Sequence, residues 1–201
     1  MPRIVYVHGF NSSPQSAKGR LLEARVRACA PRCEFHMPAL HHRPARAMDT
    51  LEALFGTDAG GMTLVGSSLG GYYATWLAER HGARAVLVNP ALDPCRDLAS
   101  MLGPQRNLYT GETYELTTAH FDELARFSVP RATRAERYLL FVQSGDEVLD
   151  PREAIRFYAG AWQCVEGGGS HGFERFERHV ETVLRFAGAT SAPWPNAEAT
   201  T

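Results

Sequence analysis

The sequence predicts an α/β fold: a mostly parallel sheet with helices on both faces. Three observations lead there. Short β-branched runs alternate along the chain with longer segments whose apolar residues recur at helical spacing. A strand reading at 62–65 passes through a glycine turn into a helical reading at 71–81. The rhythm is broken at only two places, by a long stretch at 93–130 and by the tail. Strands alternating with helices of this length are joined as crossovers, which makes the strands parallel.

The elements follow in order. Arg3–Val7 reads as a buried strand. Gln15–Ala28 reads as a helix, with Leu22, Val26 and Cys29 expected on its inner face. Cys33–Met37 is a second strand, closed by Pro38. Pro44–Phe55 is a helix with Met48, Leu51 and Leu54 at helical spacing, and 56–61 is a turn. After strand 62–65 and helix 71–81, with Tyr73, Trp76 and Leu77 inward, Ala85–Val88 is the fourth strand. Tyr138–Gln143 is the fifth and Trp162–Val165 the sixth, with a helix at Pro151–Tyr158 between them. Phe173–Phe186 is the last helix, with Phe173, Phe176, Val180 and Val183 as its buried stripe. The stretch 93–130 contains the turn signal Tyr109-Thr110-Gly111 and a helical run at Thr118–Phe127. It is too long for a simple crossover and reads as an insertion over the sheet, a candidate lid.

At 201 residues and 44% hydrophobic composition, the chain is long enough to bury roughly 70% of the surface its unfolded form exposes. A single domain over residues 1–189 is expected, with 190–201 as a disordered tail. The net charge of -1 offers no basic stripe for nucleic acid. No stretch approaches the roughly 18 apolar residues that span a membrane. The opening run Ile4–Val7 is too short for the core of a signal peptide. A cytoplasmic protein is expected, with its four cysteines reduced. His41, His42 and Cys33 lack the spacing of a zinc site, so no metal is expected.

The strongest chemical signal is Gly66-Ser67-Ser68-Leu69-Gly70. It fits Gly-x-Ser-x-Gly centred on Ser68. A sharp strand-to-helix turn lifts that serine above the sheet, and small flanking residues keep the turn from clashing with itself. Ser67 does not fit the same frame. A nucleophilic serine needs a base, and His171, in a glycine-rich loop after the last strand, is the candidate. The base needs an orienting carboxylate. Asp146 is the first after the strand at 138–143, with Glu147 and Asp150 as rivals. Asp150 before Pro151 suits a helix cap, and Glu147 is expected to point away from its neighbour. An oxyanion needs donors, expected from the Phe10 and Leu69 amides. The chain order Ser68, Asp146, His171 is the one used by α/β-hydrolases.

Several blocks carry a longer resemblance: His8-Gly9-Phe10-Asn11-Ser12-Ser13-Pro14 with Ser16 and Lys18, Gly66 to Leu77, Val88-Asn89-Pro90-Ala91, Tyr109-Thr110-Gly111 with Tyr114, Gly145 to Asp150, and Glu166-Gly167-Gly168 before Ser170-His171. Together they resemble the YqiA-like esterases, a group of small bacterial α/β-hydrolases, from Tyr6 to the final helix. The resemblance implies a compact α/β-hydrolase fold without the first two strands of the larger one. It also implies hydrolysis of esters or thioesters by Ser68, Asp146 and His171. His41-His42 departs from the prolines usual there, and the tail from Ala189 has no counterpart. The expected chemistry is acyl transfer to Ser68, needing neither metal nor organic cofactor, with a small-molecule acyl ester or thioester as substrate. Asn11, Tyr109, Tyr114 and Phe121 are the candidate substrate contacts. The alternative is a binding or scaffold protein on the same fold with an idle site.

Overall fold

The computed structural model describes residues 1–55, 61–192 and 194–195. Its elements run β1 (Arg3–Val7), α1 (Ala17–Cys29), β2 (Glu34–His36), α2 (Pro44–Glu52), β3 (Met62–Ser67), α3 (Leu69–His81), β4 (Arg84–Val88), α4 (Pro94–Asp97), β5 (Gly103–Arg106), β6 (Thr113–Leu116), α5 (Thr118–Ala125), β7 (Tyr138–Gln143), α6 (Pro151–Phe157), β8 (Trp162–Glu166) and α7 (Val180–Phe186). Each strand expected from the sequence forms, with small shifts at its ends. Six of them make one sheet in the order β2-β1-β3-β4-β7-β8, parallel throughout.

The two faces of the sheet divide the core. Val5, Val7, Leu64, Leu87 and Leu140 pack with Met48 and Leu51 of α2 and Tyr73 and Leu77 of α3. Their sequence neighbours Ile4, Tyr6, Val65, Val86 and Leu139 point the other way. These meet Leu22 and Val26 of α1 and Val183 and Leu184 of α7. Successive side chains in a strand alternate faces, so strands covered on both sides read as unbroken apolar runs. Each such side chain taken out of water contributes about 1.5–3 kcal/mol.

The order of the strands positions the site. The chain leaves β1 for β2 on one side, then crosses to β3 on the other, so the direction of winding reverses between β1 and β3. Open parallel sheets form their binding crevice at such a reversal, outside the C-terminal ends of the strands. Val7 stands opposite Gly66, which brings the residues after β1 beside those after β3.

Some expectations change. The last helix does not begin at Phe173. Phe173 and Arg175 have φ of 57° and 58°, a left-handed conformation that no helix can include. A short 3₁₀ turn at Phe176–Arg178 precedes α7. The expected stripe of Phe173, Phe176, Val180 and Val183 is nonetheless buried. Cys29, expected on the inner face of α1, is exposed, and Ala30 takes the buried position as the helix ends. The insertion contains an antiparallel hairpin, β5 with β6, which its polar sequence did not announce. Of the turn expected at 56–61, residues 56–60 lie outside the described residues. So do 193 and 196–201 of the expected tail. Trp194, however, is not frayed: its ring packs edge-on against Phe186 at 5.0 Å and Trp162 at 5.5 Å. Among the described residues no helix is long and apolar enough to cross a membrane.

Candidate active site

Ser68 sits between β3 and α3 with φ of 55° and ψ of -123°. A non-glycine residue in that region is strained, and the strain is held by packing around it. A Cβ on Gly66 would run into the Gly70 carbonyl, and one on Gly70 into the Val7 carbonyl. The elbow therefore closes only with glycine on both flanks. The Ser68 amide is fixed by the Val88 carbonyl at 3.1 Å.

His171 reaches the serine from the loop after β8. Its Nε2 lies 3.0 Å from Ser68 Oγ. Its Nδ1 lies 3.0 and 2.9 Å from the two oxygens of Asp146. The ionised carboxylate can only accept, so Nδ1 carries the proton and Nε2 is left to accept from the serine hydroxyl. The Asp146 side chain is 2% exposed. Burial alone would raise its carboxyl. The hydrogen bonds from His171 and from the Leu149 and Val148 amides outweigh that and hold it below the usual range.

The rival carboxylates have other partners. Asp150 caps α6, accepting from the Arg152 amide at 2.9 Å, with Pro151 as the first helical residue. Glu147 is not turned away: its Oε2 accepts from the backbone amide of His171 at 2.9 Å. The extended-loop reading missed this because the chain turns tightly here, with the Asp146 amide bonded back to the Gln143 carbonyl at 3.2 Å.

Phe10 lies in the loop after β1, and Leu69 follows Ser68 at the start of α3. Gly9 packs so closely on the elbow that a Cβ there would sit 3.0 Å from the Ser67 carbonyl oxygen. That places Phe10 beside Ser68. Leu69 is the first residue of α3, where backbone N–H groups have no intrahelical acceptor. Among the described residues neither the Phe10 nor the Leu69 amide donates to a protein group.

A cleft of about 560 Å³ opens over Ser68 and His171, with Asn11, Tyr109, Leu108 and Phe176 in its walls. A smaller cavity of about 40 Å³ lies beyond Phe10, lined by His8, Asn11, His42, Leu69 and Tyr114 among others. Of the candidate substrate contacts, Tyr109 thus lines the cleft, Tyr114 the small cavity and Asn11 both. Asn11 Oδ1 accepts from the Tyr114 hydroxyl at 2.8 Å, and its amide nitrogen donates to Gln105 at 3.0 Å. It ties the β5–β6 hairpin to the loop after β1. Phe121 lines neither; it packs against the core.

The sequence reading passed over Asn89 and Gln143. Asn89, 2% exposed, donates from Nδ2 to the Ser170 and His171 carbonyls at 3.0 and 3.1 Å and accepts from the Gln143 amide at 3.1 Å. Gln143 Oε1 accepts from the Ser170 and Glu174 amides at 3.2 and 2.8 Å. The two residues clamp the loop that carries His171. Their signal was a lone polar residue at the end of an otherwise apolar strand, in Val88-Asn89-Pro90 and in Leu140-Phe141-Val142-Gln143.

Among the described residues, one grouping offers metal-ligating atoms close together: Cys164, Glu166 and His179, within 4.8 Å of one another. Its carboxylate is already engaged, with His179 at 3.0 Å and Gln143 at 2.8 Å.

This architecture is the α/β-hydrolase fold. A putative hydrolase from Agrobacterium vitis S4 superposes with a TM-score of 0.72 at 14% identity, over 92% of this chain and 88% of that one. Mouse α/β hydrolase domain-containing protein 10 gives 0.68 at 16%, over 91% and 88%. A monoacylglycerol lipase from Paleococcus ferrophilus gives 0.62 at 18%, over 94% and 95%. At these identities the likeness is one of fold. The chain belongs to the Uncharacterised protein family UPF0227, whose model matches residues 3–188. That is the family the sequence resembles, the YqiA family.

Proposed function

We propose that the protein is a serine hydrolase that cleaves carboxylic esters or thioesters through an acyl-enzyme on Ser68. The observation that carries this reading is the unbroken line Asp146–His171–Ser68, with every link at 2.9–3.0 Å and the serine on a strained elbow. The fold's other members include an esterase from Butyrivibrio proteoclasticus seen with ferulic acid bound and the lipase above, which suits ester chemistry.

In the proposed reaction Ser68 Oγ attacks the acyl carbonyl as its proton passes to His171 Nε2. Asp146 stabilises the imidazolium and keeps the ring in its reactive tautomer. The Phe10 and Leu69 amides receive the developing oxyanion, each donor giving roughly 10²–10³ in rate. His171 then returns the proton to the departing alcohol or thiol. Water, activated by the same imidazole, hydrolyses the acyl-enzyme. The β5–β6 hairpin, whose turn carries Tyr109 to the cleft, acts as a lid that shapes the substrate's seat.

The test is a panel of acyl esters and thioesters of graded length against wild type, Ser68→Ala and Ser67→Ala. Ser68→Ala is expected to abolish turnover and Ser67→Ala to keep most of it. The reverse pattern would refute the assignment of the nucleophile.

A further inference from the structure

We propose that the cleft over Ser68 carries an anion subsite centred on Lys18, and that the substrate's leaving group bears a carboxylate or phosphate. The proposal rests on the serine-hydrolase reading and names the substrate class for that site.

Lys18 is the only lysine among the chain's 21 lysines and arginines. A sequence that otherwise uses arginine for every positive charge has a compact ammonium at this position. An ammonium offers a point charge and three rotatable donors, where arginine presents a wide planar fork. Lys18 lies in the first turn of α1 and shares the cleft wall with Ser68 and His171. It is partly buried, and burial pushes its ammonium below the usual lysine range. Its Nζ donates to the Gly172 carbonyl at 2.6 Å. That uses one of its three donors. Among the described residues no carboxylate pairs with it.

Arg175 stands on the same wall, exposed, and its charge already acts on Glu166. Glu177, the one carboxylate in that wall, is bonded to neither. Lys18 is thus the cation of this wall that has no carboxylate partner among the described residues. Leu21, Leu108 and Phe176 beside them supply apolar surface. A partly buried charge without a counter-ion is costly, and a substrate anion would supply one. The position fixes which end of the substrate it belongs to. Gly172 follows His171, and His171 delivers its proton to the leaving atom. On that adjacency the proposal assigns the wall that holds Lys18 to the leaving-group side.

The experiment compares kcat/KM for matched esters whose alcohol portion is neutral, carboxylate-bearing or phosphate-bearing, in wild type and in Lys18→Gln. Glutamine keeps a donor for the Gly172 carbonyl and removes the charge. Wild type is expected to favour an anionic ester by about tenfold or more, the worth of one charge-assisted hydrogen bond. The more favoured of the two anions identifies the group. In Lys18→Gln the ratio of anionic to neutral ester should collapse towards one, chiefly through KM. An absence of preference in wild type would overturn the subsite, whether or not the variant folds. Equal losses on neutral and anionic esters would also overturn it, leaving Lys18 as a tether of the His171 loop. Fluorophosphonate labelling in parallel separates the two levels. Ser68 labelled without anion preference fails the subsite alone, and an unlabelled Ser68 fails the hydrolase reading beneath it.

Discussion

Residues 9–12 wall both the cleft and the small cavity; His171 also lines the first, and His8, His41 and His42 the second. The contrast between His171 and His42 bears on the proposed role of His171 as a base. His171 has a buried carboxylate on one nitrogen and a serine hydroxyl on the other. His42 has neither: its Nδ1 faces His120 Nε2 at 3.2 Å, and its ring stacks on Tyr114 at 4.2 Å. His120 Nδ1 accepts from the Thr117 amide at 3.2 Å and completes a capping box at the start of α5. Nδ1 being an acceptor, the proton is on Nε2 and is donated to His42. These imidazoles join the insertion to the loop before α2, where Arg43 also pairs with Glu123. The two regions differ in their bonds: the Asp146–His171–Ser68 line suits the proposed proton transfer, and the imidazoles around His42 hold elements together.

The contrast is broken most severely at Asp146. Asp146→Asn should leave the fold intact and reduce turnover by roughly 10⁴, because the amide favours the wrong tautomer of His171. Turnover together with the thermal midpoint checks this; a variant of normal activity would move the orienting role elsewhere.

A smaller effect is expected at the clamp. Asn89 has φ of 41°, so Asn89→Gly keeps the backbone conformation and removes the amide. The Ser170 and His171 carbonyls lose a donor and the Gln143 amide an acceptor. The loss of positioning should lower kcat by about 10² with little change in KM. Fluorophosphonate labelling should slow in parallel. If stability falls while kcat is unchanged, Asn89 supports the fold and not the base.

The histidine-bonded region should respond to pH in the opposite sense from a site that gains charge. Burial pushes His42 and His120 below the ordinary imidazole value, with His41 acting the same way on the first and Arg43 on the second. A group depressed on folding contributes stability that is complete above its unfolded value, about pH 6.5, and is lost as pH falls through the lower folded value. The thermal midpoint should therefore decline below about pH 6.5. His42→Phe, which keeps a ring against Tyr114, should flatten the decline. An unchanged slope would mean that these rings do not couple protonation to folding.

The sequence made the sheet legible because both of its faces are covered, which leaves apolar runs with clear ends. Ser68, Asp146 and His171 were legible because each stands in a turn whose chemistry is local: glycine flanks for the elbow, the first carboxylate after a strand, a glycine-rich loop. Asn89 and Gln143 were marked only as lone polar residues ending apolar strands, and Glu147 in its observed role not at all, since their roles are bonds to a loop far along the chain. The β5–β6 hairpin was hidden for a related reason. Its strands are half exposed and polar, and Asn11 and Asn107 tie them to the β1–α1 loop, where Asn107 donates to the Ser12 carbonyl at 2.8 Å. The break before α7 depends on left-handed residues, Phe173 and Arg175, that sequence propensity places in a helix.

The central claim is that Ser68 alone, activated through His171, is the acylated nucleophile. Intact-mass measurement and peptide mapping after reaction with a fluorophosphonate test it most directly. The expected result is a single adduct, located on Ser68, absent in Ser68→Ala and present in Ser67→Ala. An adduct mapped to another residue, or an unmodified wild-type protein, would contradict the account.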